Sequence, residues 1–280
     1  YTLWHTLSLH DALPISMLID THTHSHHSPD GHAPMATMAE AALDAGLGGI
    51  VFADHIEWYP GDEAYGFWQA APYFSELTAV QEHYGQRLHI LAGVEFGNPH
   101  EFPEAANKLL AHPFDVVIGS VHWLNGLAGW EAPTFTPGLA ATYQTYFEEM
   151  VKLVDGADFD VLGHLDLVRR DSWELFQQAL PLEGYREIIS HILHRLIEQG
   201  RGLEINTSAL RKGFHAPVPG LEVLQWYRDL GGEILVFSSD GHRPADIAYS
   251  FDVARRLALS AGFERAVRYE QRQIADWVPL

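Results

Sequence analysis

The feature that most constrains this chain is a repeated strand–helix alternation in which nearly every strand ends on a metal-type side chain. Seven apolar segments finish at Asp20-Thr-His22-Thr-His24, Asp54-His55, Gly93-Val-Glu95, Ser120-Val-His122, Gly163-His164, Glu204-Ile-Asn206 and Ser239-Asp240-Gly-His242. Only the Asn206 end lacks a ligand of this kind. Short apolar strands separated by amphipathic helices imply a parallel sheet covered on its outer face. An open doubly wound sheet would also suit the alternation. The spread of polar residues over the strand ends favours a closed or nearly closed barrel, which gathers residues distant in sequence at the C-terminal ends of its strands.

Strands are expected at residues 18–21, 49–53, 89–94, 115–120, 161–163, 202–205 and 233–238, with no good eighth. Helical spacing is found at 34–45, 72–84, 103–110, 139–154, 183–199, 220–230 and 244–261. In the first helix Met35, Met38, Ala42 and Leu43 share one face, and Pro34 suits a first-turn position. Residues 126–137, rich in Gly, Trp and Pro, read as a long loop over the site. The 280 residues suffice for one large α/β domain, and no linker divides them, so 17–280 is expected to be a single domain. Residues 1–16 lack Lys, Arg and any continuous apolar stretch, so they fail as a signal peptide. The stretch 8–16 reads as a translated sequencing adaptor joined to a native start at Met17, as in a metagenomic clone. Residues 1–16 are therefore expected to be a non-native or disordered leader.

Composition narrows the partners. A formal charge of −20 argues against a nucleic-acid surface, which needs clustered Lys and Arg. It also opposes an anionic substrate, for which bound divalent cations are one local remedy. The absence of cysteine excludes disulfides, thiolate zinc sites and cysteine nucleophiles, and it fits a cytoplasmic protein. No apolar run approaches the ~18–20 residues needed to cross a bilayer.

The strand ends carry the chemistry. His22 and His24 alternate on one strand, so both imidazoles face the same side and can reach one ion. The turn Ser28-Pro-Asp30-Gly would bring Asp30 over the same strand end. His55 follows an apolar run that turns abruptly polar, and the Glu95 carboxylate can bridge two cations. His122 and His164 repeat the logic, with glycines giving room beside each ligand. Asp240 and His242 stand at alternate positions after a hydrophobic strand, and neither belongs in a core without a partner. Taken singly, each is explicable as a satisfied polar group; jointly they point to metal bound by imidazole nitrogen and carboxylate oxygen.

These segments resemble the polymerase and histidinol phosphatase (PHP) family, and within it the histidinol-phosphatase branch, from about residue 17 to 263. The family motifs stand here as Asp20-Thr-His-Thr-His24, Ala53-Asp-His55, Gly119-Ser-Val-His122 with Gly163-His164, and Ser239-Asp-Gly-His242. The resemblance implies a distorted seven-stranded, TIM-like (β/α) barrel holding three divalent ions of manganese, iron or zinc. It implies that His22, His24, Glu95 and Asp240 hold the first ion. Glu95 then bridges to a second ion completed by His122 and His164, while Asp30, His55 and His242 hold a third. The family often has His where Asp30 stands. Water activated by the cluster would attack phosphorus in line, and Asp240 or a cluster water would protonate the leaving alcohol. Glu95 and His242 join Asp240 as the residues on which catalysis is expected to depend.

A phosphoester needs further donors. Arg169, Arg170, Arg211 and Arg243 follow strand ends and offer forked contacts to phosphate, with Ser120 and Ser208 adding hydroxyls. Arg211 and one of the Arg169/Arg170 pair are preferred. Trp58, Tyr59, Trp68, Trp123 and Trp130 are candidate walls for a flat imidazole ring. The resemblance implies hydrolysis of L-histidinol phosphate in histidine biosynthesis, by a protein that binds a small phosphorylated substrate rather than nucleic acid or membrane. Alternatives are a hydrolase of a nucleotide, a sugar phosphate or a phosphotriester, or a non-catalytic metal-binding module.

Overall fold

Seven runs of buried aliphatic residues pair in parallel, each with the next in the chain, until the last returns to the first. They are β1 (Ile19–Thr23), β2 (Gly49–Phe52), β3 (His89–Gly97), β4 (Val116–Ser120), β5 (Val161–Leu162), β6 (Gly202–Asn206) and β7 (Leu235–Ser238). The pairing of β7 with β1 and of β2 with β3 closes the barrel. A two-residue strand at His55–Ile56 extends the β2 side and sets His55 opposite Glu95. The computed structural model describes residues 18–280, so the leader expected at 1–16 lies outside the described residues.

Around the barrel run α1 (Met35–Asp44), α2 (Ala70–Tyr84), α3 (Pro103–Leu109), α4 (Leu139–Gly156), α5 (Leu167–Phe176), α6 (Arg186–Gln199), α7 (Ser208–Arg211), α8 (Leu221–Asp229) and α9 (Phe251–Ser260). None of the helices described is long and apolar enough to cross a membrane. Most expected elements stand within a few residues of their predicted bounds. The helix expected over 244–261 is split into a 3-10 turn at Pro244–Asp246 and α9, because Ala248 and Ser250 take left-handed backbone angles that no α-helix accommodates. Helix α5 carried no apolar period to announce it, since its buried face includes Arg169, Asp171 and Ser172.

The period of two along each strand explains both the core and the site. Ile50, Phe52, Ile90, Val117 and Phe237 belong to the layer packed against the helices. Their neighbours Val51, Leu91, Ile118 and Val236 cluster inside the barrel. The same inner face continues upward through Ala53, Gly93, Ser120 and Ser238, then reaches His55, Glu95, His122 and Asp240. One face per strand thus runs from apolar at the bottom to His, Glu and Asp at the top. In β1 the alternation is broken by a register shift between Asp20 and Thr23. That bulge lets His22 continue the inner face begun by Ile19.

The bottom of the barrel is covered by a hairpin that sequence reading left unassigned: β8 (Arg265–Glu270) and β9 (Gln273–Pro279). Its Val267 and Tyr269 pack into the interior cluster with Ile19, Val51, Leu91 and Val161. Arg272 fixes the turn: its N–H donates to Asp115 O at 2.8 Å, and its guanidinium reaches Asp158 at 2.6 Å and Asp160 at 3.0 Å. Asp160 is buried and also accepts the Val117 N–H, so losing Arg272 leaves that carboxylate without its counter-charge. Arg272→Ala is expected to lower stability by about 1–3 kcal/mol, as for a partly buried charge-assisted contact, without changing the metal ligands. Equilibrium denaturation checks this; an unchanged midpoint would show that the hairpin does not brace the barrel.

Candidate metal centre

Glu95 is the centre of the site. Its side chain is 1% exposed and is ringed by imidazoles contributed by β1, β4 and the turns after β2 and β5. Oε1 lies 3.1 Å from His122 Nε2 and 2.8 Å from His164 Nε2. Oε2 lies 3.2 Å from His22 Nε2, 2.8 Å from His55 Nδ1 and 3.7 Å from His24 Nε2. His24 Nε2 is also 3.3 Å from Asp240 Oδ1, and its ring stacks between those of His55 and His242, at 4.1 Å from each. At the mouth, Asp30 Oδ2 is 3.0 Å from His242 Nε2 and 3.5 Å from His55 Nε2. All nine ligand candidates are brought to one end of the barrel, and His55 faces carboxylates with both ring nitrogens.

Whether these side chains fit bound cations is tested by their unsatisfied atoms. His22 Nε2, His24 Nε2, His55 Nδ1 and Glu95 Oε2 are buried, crowd together and lack a hydrogen-bond partner. Buried polar atoms are rarely left so unless an ion or water completes them. Several triplets among them, such as His22–Glu95–His164 and His22–His24–Asp240, place one donor atom per residue within 4.8 Å of each other. The residues fit bound divalent cations.

Electrostatics agrees. Burial alone would push the Glu95 carboxyl up, but His22, His122 and His55 hold it well below the usual carboxylate range. Burial likewise opposes ionisation of Asp240 and is outweighed by the His24 hydrogen bond and the nearby His22 and His242, so Asp240 is held ionised. Asp30 is lowered against its burial by His55 and His242. The imidazoles divide. Burial would lower His22, His55 and His122, yet carboxylates outweigh it: Glu95 and Glu204 raise His22, Glu95 and Asp30 raise His55, and Glu95 with Glu57 pushes His122 up to about 10. His24 goes the other way, pushed well below its ordinary value by burial and the adjacent His55 and His242. A site that must protonate its own histidines to balance its carboxylates is one that cations would satisfy better.

Two orienting residues escaped the sequence reading. Glu204 accepts from His22 Nδ1 at 2.7 Å, and Glu57 meets His122 Nδ1 at 2.5 Å. Each turns the other nitrogen, Nε2, toward Glu95, the arrangement that fixes tautomer and ring plane in metal sites. Glu57 is itself raised, because burial outweighs the pull of His122. Gly97 makes room for it, since a Cβ there would fall 2.1 Å from the Glu57 oxygens. The period of two from His55 was the available signal, because Glu57 continues the same face. Asp54, adjacent to His55, organises the first loop instead: it accepts from Ser25 N at 2.6 Å and from Ser28 Oγ at 2.8 Å.

The expected phosphate donors fare unequally. Arg170 lies 3.6 Å from Asp240 Oδ2 and 3.2 Å from Ser208 Oγ, lining the cavity. Arg243 is exposed at the mouth. Arg169 is not brought into the cavity: it is buried against Asp166 and Glu222, at 3.2 Å from each. Arg211 lines the cavity but donates to Ser239 O at 2.5 Å and Asp240 O at 2.6 Å, so it braces the turn carrying Asp240. That turn needs bracing, because Asp240 has φ 52, an angle costly for a non-glycine residue. Ser120 is spent on Glu95 Oε1 at 2.7 Å. Among the aromatic candidates Trp123 and Trp130 line the cavity, whereas Trp58 packs on Phe96, Tyr59 stacks on Trp123, and Trp68 is in the core beside Tyr73. The cavity measures about 920 Å³, and carboxylates outnumber the cations Arg170, Arg211, Lys212 and Arg243 among its lining residues.

Comparison with known proteins places this arrangement among others. Residues 20–208 match the PHP domain. A probable histidinol-phosphatase of Deinococcus radiodurans is 30% identical over 271 residues, covering 92% of this chain and 98% of that protein. A histidinol-phosphatase of Lactococcus lactis is 27% identical, covering 91% of this chain and 96% of its own length. The crystal structure of a histidinol phosphate phosphatase from Lactococcus lactis, complexed with zinc, L-histidinol and phosphate, superposes with a TM-score of 0.83 at 25% identity, covering 93% of this chain and all of that one.

The pairing of Glu57 with His122 yields a test free of the ligands themselves. Glu57→Gln removes the charge that fixes the His122 tautomer, and metal affinity is expected to fall by about 10–100-fold, as for other outer partners of ligating histidines. Competition with a calibrated chelator measures it. Unchanged affinity would mean that His122 is not a ligand or that its orientation is set elsewhere.

Proposed function

The chain belongs to the PHP domain family, and from that premise we propose that it is a metal-dependent phosphomonoesterase hydrolysing L-histidinol phosphate to L-histidinol and phosphate. The observation that carries this reading is the group of buried, unpartnered donor atoms around Glu95, opening onto a cavity that also presents Arg170. Relatives named for the same activity, one of them crystallised with zinc, L-histidinol and phosphate, support it. The proposed domain spans 17–280.

In this reading His22, His24, Glu95 and Asp240 hold one divalent ion, Glu95, His122 and His164 a second, and Asp30, His55 and His242 a third. Manganese, iron and zinc all suit such a nitrogen and oxygen set. When bound, such ions neutralise phosphoryl oxygens and make water nucleophilic near neutral pH. The chain supplies the rest. Glu204 and Glu57 hold protons on the outer nitrogens of His22 and His122, keeping the inner ones aimed at Glu95. Arg170 is anchored through Nε to Asp171 and Nη1 to Ser208, while Nη2 has no hydrogen-bond partner among the described residues. That nitrogen is the donor offered to the phosphoryl group. Against its burial, His24, His22 and His242 hold the Asp240 carboxyl well below the usual carboxylate range, which suits it to bind a cation. Across the mouth, Glu63 and Glu131 give the cavity a wall suited to the ammonium and imidazole of an amino-alcohol substrate.

Specificity is the sharpest test. The kcat/KM for L-histidinol phosphate should exceed that for 4-nitrophenyl phosphate at equal metal loading, although the aryl ester has the better leaving group, because ring and ammonium contacts lower the barrier only for the true substrate. Arg170→Ala should lower it by roughly 10–100-fold, typical of a lost charge-assisted contact. A clear preference for the aryl ester or for a phosphotriester would remove the histidinol assignment while leaving the metal centre in place.

A further inference from the structure

A second constellation of metal-type donors lies outside the cavity, where the loop after β1 meets α2. His26 and His27 are adjacent in sequence, yet both direct Nε2 at one oxygen of Glu76: His26 at 2.6 Å and His27 at 2.9 Å from Oε2. Their rings stand edge to face, with centroids 4.7 Å apart. The other oxygen of Glu76 accepts the Met35 N–H at 2.9 Å, which fixes the carboxylate at the start of α1. Neither histidine lines the catalytic cavity. We propose that His26, His27 and Glu76 form a separate divalent-metal site, best suited to zinc, that pins the β1–α1 loop to α2.

The donor set carries the argument. Two imidazole nitrogens and one carboxylate oxygen are a recurrent zinc set, and three protein ligands leave a fourth position for water. In a tetrahedral site with bonds of about 2.0–2.1 Å the donor atoms stand about 3.3 Å apart, so each ring nitrogen would draw back from the Glu76 oxygen by only about half an ångström. Candidate donor atoms of the three residues already lie within 4.8 Å of each other. The His26 side chain is 45% exposed and free to make that adjustment, while His27 is 12% exposed and packs edge-on against Tyr73. The chain's charge of −20 favours cation uptake here as well.

The consequence is structural rather than chemical. The loop that begins at His24 carries Ser28, which holds Asp54, and then Asp30 at the cavity mouth. An ion on His26 and His27 would tie that loop to the carboxylate that also receives the first helical N–H of α1. It would restrain the segment bearing Asp30 without touching the ligands of the main cluster.

The test uses the full chain with the catalytic ligands intact. Wild-type protein, His26→Gln and Glu76→Gln are each dialysed against buffered zinc at about 1 µM, a free concentration at which three-ligand sites compete for the ion, and zinc per chain is measured by mass spectrometry. The glutamine at 76 keeps an oxygen for the Met35 N–H, and His26 is exposed, so neither variant strips the fold. Wild type should hold about one zinc more per chain than either variant, in line with a single added three-ligand site. Zinc should also raise its melting midpoint by more than it raises theirs. Phosphatase activity at saturating catalytic metal should be the same in all three, which separates this site from the catalytic reading. Equal zinc content and equal zinc-dependent melting shifts in all three proteins would overturn the proposal and leave the trio as hydrogen-bonded side chains only.

Discussion

The structure is organised around a carboxylate that cannot stand alone. Glu95 lies inside a closed barrel, away from water, where an isolated charge costs several kcal/mol even after relaxation. Its two oxygens are met by five imidazoles delivered from β1, β4 and the turns that follow β2 and β5. Neutral imidazoles do not balance it, and the histidines beside it are pulled toward their charged forms to do so. Divalent cations held by these residues would resolve the conflict, leaving the histidines neutral. The same cations answer the problem at the mouth, where carboxylates outnumber cationic side chains and a phosphate dianion would otherwise be repelled.

Orientation is a second layer of the same electrostatics. His22 and His122 each donate outward to a buried glutamate, and Asn98 accepts the N–H groups of both His122 and Trp123 at 2.9 Å. Asp20 accepts from Ser239 N and Ala248 N, tying the first strand to the turn that presents Asp240. Arg211 completes that turn by holding two carbonyl oxygens against a backbone angle that the chain would otherwise avoid. The acidic excess of the sequence is therefore partly inward-facing. Several of its carboxylates are invested in aiming imidazoles.

The barrel and the residues gathered at its rim were legible because both follow from the period of two. A strand that is apolar for four residues and then turns polar on the same face announces a barrel wall with its functional rim, as in Val51–Ala53–His55 or Ile118–Ser120–His122. What was hidden depended on distances no spacing encodes. Arg169 and Arg170 are neighbours on α5, yet one is buried in an ion pair with Asp166 and Glu222 and the other faces the cavity; only the helix rotation distinguishes them. Arg211 looked like a phosphate clamp and proved to be bound to the backbone. The hairpin β8–β9 was overlooked because its apolar residues are few, although Val267 and Tyr269 do alternate toward the interior.

The hairpin has a bearing on the site it never touches. The upper rim of the barrel is built of unsatisfied donors, buried charges and left-handed angles at His164 and Asp240, all of which cost stability. The lower end carries fewer of these demands: Gln271 and Arg272 are left-handed in the hairpin turn, and the buried Asp160 carboxylate is paired with Arg272. There Val267 and Tyr269 complete the apolar interior cluster, and Arg272 links the hairpin to the starts of β4 and β5 through Asp115 and Asp160. Since the strands are only two to nine residues long, both ends share the same hydrogen-bonded ladders. Apolar packing at one end can therefore sustain strain at the other.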